Sequence, residues 1–141
     1  MALMTGEQYI ESIKKIKMEI YMFGERYNNP TESPILRPSL NSVRMTYDLA
    51  QMPEYEDLMT VVSPYTGTRV NRFTHIHQST DDLVKKVKML RMISQKTGTC
   101  YQRCVGFDAM NATYSVTYEC DQAMGTNYHE RFKKFLTYVQ D

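Results

Sequence analysis

The stretch KTGTCYQRCVG, residues 96–106, carries two of the chain's three cysteines, Cys100 and Cys104, spaced Cys-x-x-x-Cys. Paired sulfurs serve as a redox couple, as part of a metal site, or simply as two small apolar residues in a core. On an α-helix, residues four apart face the same way with Cβ atoms about 5–6 Å apart, wider than the roughly 3.5–4.5 Å of a disulfide. A bridge inside an intact helix is therefore disfavoured, and the helix-start redox motif has two intervening residues, not three. Two sulfurs on one face do suit a single metal centre, because soft ligands select zinc or iron–sulfur clusters. A helix starting after Gly98 would bring its positive end near Cys100, with Arg103 adding charge on the same side.

A tetrahedral zinc site or a cubane cluster needs four ligands. Cys120 lies 16 residues past Cys104, which on a continuous helix is about 24 Å along the axis; it reads as a small buried residue. His75 and His77 in FTHIHQST would share a face in an extended segment, and their plainer reading is interfacial or hydrogen-bonded packing rather than ligation. His129 opens the last predicted helix. The chain thus offers at most two sulfur ligands, and the residues alone leave core packing and metal binding both open. It has no P-loop, Gly-rich dinucleotide turn or nucleophile elbow.

The elements that must position these residues read as mostly α with one small β-hairpin. TGEQYIESIKKIKME has Thr5 as N-cap with Gln8 three residues on, and Tyr9, Ile13, Ile16 and Ile20 at helical spacing. IYMFGERY reads as extended and NNPTESP as a loop; Pro38 then suits the start of a helix in which Val43, Tyr47 and Ala50 share a face. LMTVVSPYTGTRVNRF carries the hairpin signal around Pro64–Gly67. STDDLVKKVKMLRMISQKTG is the clearest amphipathic helix, capped by Ser79 or Thr80 and stopped by Gly98. Leu83, Val87 and Leu90 are expected to line its inner side, with Lys85, Lys86 and Arg91 in water. A helix from Cys100 to Met124 is expected to bury Ala109, Thr113, Val116, Cys120 and Ala123. After Gly125, Asn127 is expected to cap a final helix with Phe132, Phe135 and Val139 apolar, running to Asp141 with nothing to stop it.

At 141 residues the chain is long enough for one domain with a real core. Its net charge of +1 gives no electrostatic reason to expect nucleic acid or an anionic membrane as partner. No run approaches a membrane span, and the start shows no secretory signal, so a reducing cytoplasmic setting is expected. Eleven Met and eleven Tyr with no Trp hint at surfaces that pack against something larger.

Five stretches, EQYIESIKKIKMEIYMFGERYNNP, PSLNSVRMTYDLAQMPEYEDLMT, HIHQSTDDLVKKVKMLR, QKTGTCYQRCVGFDAMNATY and GTNYHERFKKFLTYVQ, together resemble the N-terminal region of the 4-hydroxybutyryl-CoA dehydratase/vinylacetyl-CoA Δ-isomerase family. That family sits in the flavin-dependent 4-hydroxyphenylacetate 3-hydroxylase superfamily, whose hydroxylase branch lacks the cysteine pair. The resemblance implies the N-terminal helical domain of an acyl-CoA-dehydrogenase-like flavoenzyme, with a β-rich middle domain and a C-terminal helical domain lying beyond this chain. It implies FAD and a [4Fe-4S] cluster, an acyl-CoA substrate, and a homo-oligomer. By motif, Cys100 and Cys104 would be two of four cluster ligands, the remaining His and Cys coming from a later segment. Gln102 and Arg103 become candidates for polar contacts to substrate or cluster. On this reading the chain alone should be inactive. The competing expectations are a non-catalytic helical interaction module and a fragment of a flavin-dependent 4-hydroxyphenylacetate 3-hydroxylase.

Overall fold

The computed structural model describes residues 3–100 and 103–140. Helix α1 (Gly6–Lys14) begins with the expected capping box: Thr5 accepts from the Gln8 N–H while the Gln8 side chain accepts from the Thr5 N–H. It ends before Ile16 and Ile20, which the helical spacing had included. Asn29 explains the early stop, because its Nδ2 donates to the carbonyls of Ile13 and Lys14, both at 3.1 Å. The chain then forms a hairpin, β1 (Ile20–Met22) with β2 (Glu25–Tyr27), turning at Phe23 and Gly24, both at positive φ. This corrects the expectation of a single hairpin.

Helix α2 (Arg37–Asp48) carries Pro38 in its first turn, where the missing N–H is no loss. Its deepest side chains are Ser42 and Thr46, small enough for close helix approach and bonded back to the carbonyls of Pro38 and Val43. The Asp48 carboxylate accepts from the Gly6 N–H at 3.2 Å, tying α2 to the start of α1. The short helix α3 (Glu56–Met59) leads into the expected hairpin, β3 (Thr60–Val62) with β4 (Arg69–Asn71), in the register Thr60–Asn71, Val61–Val70, Val62–Arg69. A tight turn, Arg72–Thr74, follows.

Helix α4 (Thr80–Thr97) has Ser79 as N-cap in a capping box with Asp82, and Gly98 in the left-handed conformation at its end, both as the sequence suggests. Its orientation does not follow. Met89 and Ile93 are fully buried, whereas Leu83 and Val87 are 48% and 65% exposed. The stems of Lys85 and Lys86 lie partly covered, with their ammonium groups paired to Asp57 and Asp108. Long aliphatic stems with paired heads occupy the flank that the pattern assigned to water.

Helix α5 (Arg103–Met124) packs on α6 (Tyr128–Gln140). The stripe of Ala109, Thr113, Val116 and Ala123 is exposed, and Cys120 is only partly buried. The inward face is instead Phe107, Asn111, Tyr114 and Thr117, a row of aromatic and hydrogen-bonding residues. On α6, Leu136 and His129 are buried while Phe135 is exposed. The side-chain oxygens at the start of α6 come from Asp121, which accepts from the N–H groups of Tyr128 (2.8 Å) and His129 (2.9 Å), in place of the expected Asn127 cap. The central core joins Leu49, Ala50, Met59, Phe73, Met89, Ile93 and Phe107. Among the described residues, no helix is long and apolar enough to cross a membrane.

Candidate functional site around the cysteine pair

Cys100 is exposed and lies in the non-helical link after α4; Cys104 is partly buried in the first turn of α5. Cys100 itself is non-helical, where the spacing had placed it on the same helix as Cys104, and α5 is described from Arg103 onward. They flank the start of α5, one free thiol on the link and one on the helix. Gln102 lies outside the described residues. Among those described, no cluster of three or more His, Cys, Asp or Glu could hold a metal ion. Two free thiols, one of them open, are the right chemistry for half of a soft-ligand centre.

Arg103 points inward. Its guanidinium donates to Thr46 Oγ1 and to the Tyr47 hydroxyl (3.3 Å) on α2. It lies 4.7 Å from the Tyr47 ring centre and 4.8 Å from that of Phe73. Tyr47 in turn stacks on Tyr9 of α1, 5.0 Å away and 16° from parallel. Phe73, Arg103, Tyr47 and Tyr9 thus form a continuous chain of ring and cation–ring contacts at the start of α5. Burial and the neighbouring Tyr47 push the Tyr9 hydroxyl above its ordinary range, Arg103 partly opposing them. On the same side lies a cavity of about 190 Å³ lined by Tyr47, Asn71, Thr74, Arg103, Val139 and Gln140, among others.

The two histidines of FTHIHQST enter the interior by a different route. Asn111 on α5 clamps their backbone, donating to the His75 carbonyl (3.1 Å) and accepting from the His77 N–H (2.8 Å). His75 Nε2 lies 3.3 Å from Asp82 Oδ1, outside hydrogen-bonding alignment, and the ring nitrogens of both histidines are buried. His77 packs on Phe107, 4.8 Å between ring centres. Burial lowers the pKa of both. For His75 the nearby Asp82 opposes it; for His77 the positive charge of Lys86 adds to it. They are interior packing residues remote from the cysteine pair in sequence; their rings lie 6.4 Å apart on a common face of the segment, and that face is turned inward. His129 is likewise internal, with Nδ1 3.1 Å from Thr117 Oγ1 and its ring against Tyr114 at 4.6 Å.

The partners of Arg103 escaped the sequence reading. Thr46 sits in an ordinary helix interior, Phe73 in a short turn, and neither carries a spacing signal toward residue 103. The expectation for Arg103 was polar contact to substrate or cluster; the structure adds two aromatic neighbours and two bonds to α2 that spacing did not reveal.

Residues 5–141 match the family model described as 4-hydroxyphenylacetate 3-hydroxylase N terminal, and the chain belongs to that family. Within it, the chain is 58% identical over 99% of its length to the 4-hydroxybutyryl-CoA dehydratase/vinylacetyl-CoA-Δ-isomerase of Clostridium aminobutyricum, covering 28% of that protein. Its structure is similar to an oxygen-tolerant archaeal 4-hydroxybutyryl-CoA dehydratase from N. maritimus, with a TM-score of 0.93 and 47% identity over 99% of this chain and 27% of the other. The oxygenase component of 4-hydroxyphenylacetate 3-monooxygenase, solved with FAD, is a more distant likeness: TM-score 0.56 and 25% identity over 66% of this chain and 19% of that one. The chain spans little more than a quarter of the dehydratases it matches.

Proposed function

We propose that this chain is the N-terminal helical part of a flavin- and [4Fe-4S]-dependent enzyme that dehydrates 4-hydroxybutyryl-CoA to crotonyl-CoA and isomerises vinylacetyl-CoA. The observation that carries the reading is the pair of free thiols flanking the start of α5 in a chain so similar to the clostridial dehydratase. Cys100 and Cys104 supply two of the cluster's four ligands. The β-rich middle domain, the C-terminal helical domain, the remaining His and Cys ligands, and most flavin contacts belong to the rest of an acyl-CoA-dehydrogenase-like subunit, assembled as a homo-oligomer in the cytoplasm. When bound, the flavin would provide one-electron chemistry and the cluster Lewis acidity. This chain's share of the task is to present one sulfur from the link after α4 and one from a helix seated on α2 and on the Arg72–Thr74 turn.

The test is a chimera in which this chain replaces the matching N-terminal part of the clostridial enzyme. The intact chimera should bind close to four irons per subunit, and Cys100→Ser or Cys104→Ser should each deplete iron severalfold. Full iron retention in both variants would overturn the assignment in favour of a module whose cysteines only pack.

A further inference from the structure

We propose that Arg103 is the positioning residue for Cys104, acting through the stack beneath it rather than through contact with substrate or cluster. The inference deepens the proposed function, since it rests on Cys104 being a ligand, but its structural content stands without metal. The first turn of a helix is where fraying begins, because its N–H groups have no intrahelical partner. In α5 that turn contains Arg103 and Cys104. Arg103 fastens it to two other elements at once: hydrogen bonds to Thr46 and Tyr47 on α2, and ring contacts with Tyr47 and with Phe73 of the Arg72–Thr74 turn. Only a planar guanidinium stacks between two faces while donating at its edge; an ammonium lacks the fork. Cys104, the next residue, keeps its partly buried position because the turn beneath it is held. Cys100, on the link, is exposed.

Two donors of Arg103 are engaged with α2, and this arrangement assigns it work that a residue facing only a ligand would not do. Arg103→Lys isolates the point, keeping the charge beside the thiol and losing the fork. In the metal-free chain, alkylation of Cys104 by iodoacetamide should accelerate about fivefold or more, together with amide exchange over residues 107–111, while Cys120, toward the far end of the same helix, is unchanged. Tyr47→Leu should act in the same direction, and Tyr47→Phe, which keeps the ring face, should stay near the parent rate. An unchanged Cys104 rate in Arg103→Lys, or an equal rise at Cys104 and Cys120, overturns the proposal. Neither result bears on ligation, which iron content in the chimera reads separately.

Discussion

Arg72 Nη1 lies 3.2 Å from Asp82 Oδ1, and the two side chains are only 3% and 13% exposed. The same guanidinium donates to the carbonyls of Leu58 (2.8 Å), Asp57 (2.9 Å) and Thr60 (2.9 Å), while Asp82 closes the capping box of α4. One pair thus joins α3, the β3–β4 hairpin and α4. Removing one member of a buried, fully bonded pair strands the other. Arg72→Leu should therefore lower unfolding stability by about 3 kcal/mol or more in urea denaturation. Asp57→Asn, which breaks the exposed pair with Lys85, should cost under about 1 kcal/mol.

Acid should destabilise the fold in two stages. His75 and His77 have native pKa values below their ordinary 6.5, held down by burial with Arg72 and Lys86 nearby. The native state then binds fewer protons than the unfolded chain, so their contribution is complete above about pH 6.5 and is lost as pH falls through the native values. Asp82 is held at about 2: burial pushes it up, but the Gln78 N–H, His75 and Ser79 together outweigh that. Its contribution is present above about pH 4 and disappears toward pH 2. Denaturation midpoints measured from pH 8 to pH 2 should show both slopes. His75→Gln combined with His77→Gln should flatten the first and shrink the second, because His75 no longer helps to hold Asp82 down.

Gly6 is required by a close approach. A Cβ there would sit 2.3 Å from Asp48 Oδ1 and 2.6 Å from Arg44 Cγ. Gly6→Ala should destabilise by about 1–3 kcal/mol despite the better helix propensity of alanine. A double-mutant cycle with Asp48→Ala should show coupling, because removing the carboxylate relieves the shortest contact and leaves that with Arg44 Cγ.

Anaerobic incubation of the isolated chain with iron and sulfide should give no stable four-iron chromophore, since a cubane needs four ligands and two cysteines are on offer. A stoichiometric, stable cluster would mean that copies of the chain share ligands.

Much of the local structure was legible because its signals are local. Thr5 with Gln8, Ser79 with Asp82, Gly98, and the turn between β3 and β4 all act within a few residues of themselves. The orientation of α4 and α5 was not. Both helices carry two arcs that look buriable, and hydrophobicity selected Leu83, Val87 and Val116. The fold chose arcs rich in Met, Phe, Asn and Tyr because those side chains meet specific partners across the chain, as Asn111 does with the His75–His77 backbone. The cysteine pair was visible from spacing alone. That Arg103 reaches Thr46 and Tyr47 on α2, and that Arg72 is buried at the junction of α3 and α4, depends on contacts 10 to 57 residues distant, which no periodicity encodes.

The stacked Tyr9 and Tyr47 rings give the chain an optical handle of its own. With no tryptophan to dominate the spectrum, two nearly parallel phenols, one of them against the Arg103 guanidinium, should give a near-ultraviolet dichroism band that changes when α5 lifts from α2. Docking of the sulfur-bearing helix could then be followed in real time, without dye, label or metal.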